Sequence, residues 1–121
     1  MAYELVKLKS IKATGSLAAS QFCFVKIDTN GQLALPGAGA YAIGVLQDKP
    51  AANDPGAVCF PGDITKVQCG GTITAGQEVA TDVNGKAVAA VSGNFVLGVA
   101  LAAGASGSIT DIIYQPKSSK L

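Results

Sequence analysis

Two short motifs recur in the same order at one spacing. Asp28-Thr29-Asn30-Gly31 and Asp82-Val83-Asn84-Gly85 stand 54 residues apart, and so do Ile43-Gly44-Val45 and Leu97-Gly98-Val99. Upstream, Ala19-Ser20-Gln21 aligns with Ala75-Gly76-Gln77 if the first copy carries two extra residues. Downstream, Pro55-Gly56 aligns with Ser106-Gly107 if it carries three more. Four matched elements in one order predict a duplicated unit, with copies at about residues 16–60 and 72–114. Two copies are too few for a solenoid, which needs about three or more units to bury its faces. The repeat therefore predicts one pseudo-symmetric domain over residues 15–115. Residues 1–14 lie outside both copies as an N-terminal arm or edge strand, and residues 116–121 form a solvated tail.

The unit reads as β structure. No long helical periodicity is present. Short β-branched stretches are cut by Gly, Pro, Asn and Asp, which is the pattern of a small all-β domain. Strands are expected at residues 5–12, 22–28, 32–35, 42–47, 57–60, 64–68, 78–81, 87–90, 96–100 and 108–114. Each Asn-Gly pair, Asn30-Gly31 and Asn84-Gly85, tolerates positive φ at both central positions of a two-residue type I′ turn and predicts a hairpin. Gly44 and Gly98, each inside a strand pattern, mark a bulge or a close approach of backbone. The fold expected is a compact β-barrel or sandwich-like single domain, built from two pseudo-repeated β units with an extended N-terminal arm.

Composition narrows the function. The chain is 49% hydrophobic and only 6% aromatic, so its core is built from Val, Leu, Ile and Ala. Nine Lys, no Arg and eight acids leave no basic surplus to displace counterions from phosphates, which argues against a nucleic-acid partner. Residues 87–110 carry no charge and are long enough to span a bilayer. They also hold Gly93, Gly98, Gly104 and Gly107, so the run predicts buried strands joined by turns and no membrane partner. MAYELVKLKSIK forms no apolar signal-peptide region. Cys23, Cys59 and Cys69, an odd count without a secretion signal, read as small buried hydrophobes.

Reactive chemistry is not apparent. Pro36-Gly37-Ala38-Gly39-Ala40-Tyr41-Ala42 contains G-x-G-x-x-A, but a strand pattern follows it where a dinucleotide site needs a helix. Asp28 and Asp82 lack the alternating oxygen ligands and terminal glutamate of a calcium loop. There is no His for a zinc site or a catalytic triad. Lys66 sits inside a strand pattern and reads as a solvent-facing side chain, where a carrier domain would place its modified lysine at a hairpin tip. No cofactor, metal or enzymatic activity is expected.

The N-terminal segment is the most suggestive piece. In Leu5-Val6-Lys7-Leu8-Lys9, Val6 and Leu8 share one strand face and Lys7 and Lys9 the other. Such a strand is either an edge whose lysines discourage aggregation or an arm that adds a strand to a partner's sheet. Tyr3, Leu5, Val6, Lys7, Leu8 and Lys9 are the candidate contacts with a shell or another subunit.

Thr74-Ala75-Gly76-Gln77-Glu78-Val79, then Asn84-Gly85-Lys86-Ala87-Val88, then Val96-Leu97-Gly98-Val99-Ala100-Leu101 resembles small phage head-decoration proteins, also called capsid cement proteins. The resemblance covers most of residues 16–114. It implies a compact β fold on the outside of an icosahedral head, often as a homotrimer near local three-fold axes, with the major capsid protein as partner. It further implies a virion protein made in the host cytoplasm that reinforces the shell, in several cases through extended terminal arms. The Phe22-Cys23-Phe24 and Asn53-Asp54-Pro55 stretches of the first copy depart from the pattern. A carbohydrate- or cell-surface-binding accessory module of a phage particle is the alternative. Its usual aromatic platforms have only Tyr3, Tyr41 and Tyr114 to draw on.

Overall fold

The computed structural model describes residues 8–117 apart from Ala18, Phe60 and Asp63. Among the described residues there are ten strands in chain order: β1 (Leu8–Lys12), β2 (Phe24–Ile27), β3 (Leu33–Ala34), β4 (Gly44–Leu46), β5 (Pro55–Cys59), β6 (Ile64–Gln68), β7 (Glu78–Thr81), β8 (Ala87–Ala89), β9 (Gly98–Ala100) and β10 (Ile109–Tyr114). Among the described residues there is no helix. The uncharged run 87–110 is divided between β8, β9, the start of β10 and the turns between them.

The strands form two antiparallel sheets of five. One has the order β1-β5-β4-β2-β3 and the other β6-β10-β9-β7-β8. These are one topology used twice, and the register repeats as well. Phe24 pairs with Val45 as Glu78 pairs with Val99. Ile27 pairs with Leu33 as Thr81 pairs with Ala87. Leu46 pairs with Val58 as Ala100 pairs with Ile112. Lys12 pairs with Pro55 as Gln68 pairs with Ile109.

This strand order moves the repeat boundaries from those the sequence predicts. Each unit begins one strand earlier, at β1 and at β6, because the first strand of each unit pairs with the fifth. Residues 8–12 therefore belong to the first sheet as its edge strand, although the sequence reading set residues 1–14 outside both copies. The downstream alignment also changes. Asn53 donates its amide to the Ala13 carbonyl as Gly107 does to Cys69, so Asn53, not Gly56, is the twin of Gly107. Upstream, Phe22 donates to Leu46 as Gly76 donates to Ala100, so Gly76 matches Phe22 rather than Ser20. The twins share a left-handed backbone: φ is 64° at Phe22 and 82° at Gly76, and 67° at Asn53 and 87° at Gly107.

The hairpin turns also differ from expectation. Gly31 and Gly85 have positive φ, whereas Asn30 and Asn84 do not, so neither is a two-residue type I′ turn. Each is a three-residue loop closed by the Asp28 amide on Gln32 and the Asp82 amide on Lys86, the arrangement in which a type I turn is followed by one left-handed residue. The aspartates select it. Asp28 Oδ1 accepts the amides of Asn30 (2.9 Å) and Gln32 (3.0 Å), and Asp82 Oδ1 accepts those of Asn84 and Lys86 at 2.9 Å. A carboxylate that captures both amides holds the asparagine on the ordinary side of φ.

The side chains alternate between two cores. Val25, Leu46 and Val58 pack with Ala13, Leu17 and Leu33 inside the first unit. Their strand neighbours Phe24 and Val45 enter the core of the second unit, beside Val67, Val79, Leu97, Ala100, Ile112 and Tyr114. Both faces of the first sheet are thus dry around Phe24, Val25, Val45 and Leu46, while Lys26 and Ile27 at the far end of β2 are exposed. Burying a side chain such as Phe24 contributes about 1.5–3 kcal/mol.

Candidate interaction surfaces

Of the N-terminal candidates, Tyr3, Leu5, Val6 and Lys7 lie outside the described residues. Leu8 and Lys9 are in β1, paired with Cys59 and Val58. One side of β1 meets β5 and β1 is the last strand in the order on the other, although directly after it Ala13 bridges to Leu33 and the Thr14 amide donates to the Leu33 carbonyl at 2.9 Å. Asn30, Gly31, Asn84 and Gly85 form the hairpin tips. Gly44 and Gly98 sit at matching places in β4 and β9, which run antiparallel to β5 and β10. A Cβ on Gly44 would lie 2.7 Å from the Cys59 carbonyl oxygen and closer still to Val58, and one on Gly98 would collide with the Ile113 carbonyl oxygen.

The seam between the units is the best-defined interface within the chain. The Phe24 amide donates to the Gly85 carbonyl (2.7 Å), the Gln68 amide to Phe22 (2.9 Å) and the Gly39 amide to Thr81 (2.8 Å). Gln68 Nε2 donates to the Gln21 carbonyl at 2.6 Å, and Gln47 Nε2 to Thr65 Oγ1 at 2.9 Å. The buried Tyr114 hydroxyl donates to the Ala42 carbonyl at 2.7 Å, and its ring stands 6.1 Å from Phe24. Burial raises the Tyr114 phenol well above its ordinary value, so it remains a donor. Burial also pushes the Cys23 thiol up to about 11, with Lys86 opposing and Asp82 reinforcing. All three cysteines are buried, which fits inert packing. Among the described residues no cluster of three or more His, Cys, Asp or Glu could hold a metal ion.

The second sheet differs from the first in having one open face. Across it, Ile64 pairs with Ile113, Ile113 with Val99, and Val99 with Glu78. All four are half-buried or exposed, and Ile64 is 65% exposed. Leu101, just beyond β9, is 44% exposed, and Ile27 at the end of β2 is 38% exposed. Sequence reasoning missed this row. The signal was present in Ile64-Thr65-Lys66-Val67-Gln68, where Ile64 alternates with a buried threonine and shares the face of Lys66. The ion pairs here are exposed, Lys66 with Asp111 at 3.4 Å and Lys117 with Glu78 at 2.6 Å. Pairs in such settings add little stability. Lys66 is therefore the solvent-facing strand lysine that its pattern predicts.

Residues 7–113 match the family model of the phage cement proteins. The chain belongs to the phage cement protein family. A cement protein is a structural component of the phage virion, and the all-β duplicated fold is the form it takes here. Among solved structures, the chain is similar to the head fiber gp8.5 N base of bacteriophage phi29. The TM-score is 0.73 at 17% identity, covering 97% of this chain and 98% of that one. At that identity the likeness concerns the fold. No curated protein matches the sequence.

Proposed function

We propose that the chain decorates and stabilises the outside of an icosahedral phage capsid, as a homotrimer whose partner is the major capsid protein. The observation that carries this reading is the match of residues 7–113 to the cement proteins. A ligand that binds the assembled shell and not the separated subunits stabilises the shell by mass action. Many modest contacts repeated over a head then act as a multivalent array. A protein of this kind needs shape and apolar surface rather than reactive groups. After synthesis in the host cytoplasm it joins the capsid exterior.

The N-terminal residues are the proposed shell contact: Tyr3, Leu5, Val6, Lys7, Leu8 and Lys9. Tyr3, Leu5, Val6 and Lys7 precede β1, which holds Leu8 and Lys9 and is the terminal strand of its sheet; beyond it Ala13 bridges to Leu33, and an open stretch of strand edge is a template for strand addition. The test compares heads with and without the protein for genome release on heating or osmotic shock. Decorated heads should withstand higher temperature. Equal robustness, together with no binding to mature heads, would overturn the proposal.

A further inference from the structure

The two hairpin turns share one motif and one geometry, yet they stand in different surroundings. Each Asp-x-Asn-Gly ends in a left-handed glycine, with φ of 76° at Gly31 and 79° at Gly85. The Gly31 amide donates to the Asp28 carbonyl at 3.0 Å, and the Gly85 amide to the Asp82 carbonyl at 3.1 Å. Asn30 and Gly31 are both exposed, and a Cβ on Gly31 would have nothing within 4 Å. The turn is held by Asp28 and the exposed Thr14 hydroxyl that donates to it. Asn84 is exposed as well, but Gly85 is buried. The Gly85 carbonyl accepts the Phe24 amide at 2.7 Å. A Cβ on Gly85 would lie 2.6 Å from the Phe24 carbonyl oxygen, 3.1 Å from Cys23 Cβ and 3.3 Å from Leu35 Cδ2. The seam therefore pins the second turn and leaves the first open.

An Asn-Gly pair carries its own nucleophile. The glycine nitrogen can attack the side-chain Cγ of the asparagine before it, because glycine has no Cβ to obstruct the approach. The bond from nitrogen to Cγ forms, the amide proton passes to the side-chain nitrogen, and ammonia leaves, which closes a succinimide ring. Water then adds to one of the two ring carbonyls and opens the ring. One product is aspartate, and the other is isoaspartate, whose main chain runs through the side-chain carbons. The reaction needs rotation about the asparagine ψ and release of the glycine amide from the aspartate carbonyl. At Asn30 that rotation sweeps Gly31 through solvent. At Asn84 it drives Gly85 against the Phe24 backbone and strands the Phe24 amide. The remaining asparagines, Asn53 and Asn94, precede Asp54 and Phe95, whose side chains shield the attacking nitrogen.

We infer that Asn30 is a site of spontaneous succinimide formation and that the seam protects its twin, Asn84. The conversion adds a carboxylate two residues from Asp28, whose Oδ1 accepts the amides of Asn30 and Gln32. It also cancels the formal net charge of +1 at pH 7. In the isoaspartyl product the longer main chain loosens a hairpin that has little ladder to hold it, since β3 is only two residues, Leu33–Ala34. This chemistry belongs to the chain itself and does not depend on the proposed place on a capsid.

The test is incubation of the folded full-length chain in mildly alkaline buffer, followed by cleavage after lysine and mass spectrometry that separates aspartate from isoaspartate. Lys66 lies between the two asparagines and puts them in separate peptides. Asn30 should convert at least about tenfold faster than Asn84, the factor expected when opening the second turn strands a buried hydrogen-bonding group. In a parallel sample unfolded in urea the two should convert at similar rates. The folded chain should gain an acidic form on ion exchange, and Asn30→Ser, checked for a native circular-dichroism melt, should not gain it. Equal rates at the two pairs in the folded chain, no conversion at Asn30, or an Asn84 that stays slow in urea would overturn the inference.

Discussion

Gly44 and Gly98 occupy one place in two sheets, each facing the backbone carbonyl of the strand beside it, Cys59 in one case and Ile113 in the other. No side chain fits there, because the obstructing atom is main chain and is itself part of a ladder. The Gly-Val pair that marks the repeat in the sequence is thus a packing requirement met twice. Replacing either glycine by alanine should destabilise the protein by about 1–3 kcal/mol or more, the usual cost of forcing extra volume into a packed site. Thermal or denaturant melts would measure this. Unchanged melts at both positions would contradict the close approach.

Backbone conformation, and not space, governs another set of glycines. Gly76 and Gly15 each have nothing within 4 Å of an added Cβ, but only Gly76 has a positive φ. Gly76→Ala should cost about 1–2 kcal/mol, while Gly15→Ala should be near neutral. Equal effects in a urea titration would show that the left-handed conformation is not maintained in solution.

The Tyr114 hydroxyl ties the last strand to the first unit through the Ala42 carbonyl. Tyr114→Phe keeps the ring beside Phe24 and leaves that buried carbonyl without its donor. The expected loss is about 1–3 kcal/mol, the penalty for an unsatisfied buried group. Equilibrium unfolding of the variant gives the number, and a loss near zero would mean that the bond is replaced by water.

Asp28 carries a pH dependence of known sign. Its carboxyl is held below the ordinary value of 3.8, first by the Thr14 hydroxyl and next by the backbone amide of Gln32, with smaller help from Asn30 and Lys26 against a small opposing desolvation. A group with a lowered folded value stabilises above its unfolded value and loses that contribution as pH falls through the folded one. Wild type should therefore melt above Asp28→Asn at pH 7, with the gap narrowing below pH 3.8. A gap that stays constant to pH 2 would assign the effect to something other than the carboxylate.

Much of this architecture was legible in the sequence, and the failures have physical causes. All ten expected strands correspond to observed ones, because glycine, proline, asparagine and aspartate punctuate each of them. The Asp-x-Asn-Gly hairpins and the Gly-Val strands gave the shift of 54. The membership of β1 and β6 was not legible. Leu-Lys-Ser-Ile-Lys and Ile-Thr-Lys-Val-Gln share little, and each is placed by pairing with a strand far along the chain, Leu8 with Cys59 and Ile64 with Ile113. Letter matching also misaligned the ends of the repeat. The property kept at positions 53 and 107 is a positive φ, which Asn tolerates nearly as Gly does, and this equivalence is invisible to residue identity. The open row around Ile64 was missed because a lone exposed isoleucine is ordinary. Its meaning depends on cross-strand neighbours that only the register reveals.

The equivalence of Phe24 and Glu78 at one structural position has an evolutionary consequence. If the two units had identical sequences, one side chain would have to serve both copies of the position, and a mutation that suited one would alter the other. Once the two units are encoded in tandem, that coupling is broken. One copy of the position has become an oily joint inside the second unit's core while the other stays charged at the surface. The gene can then tune the two places as separate traits.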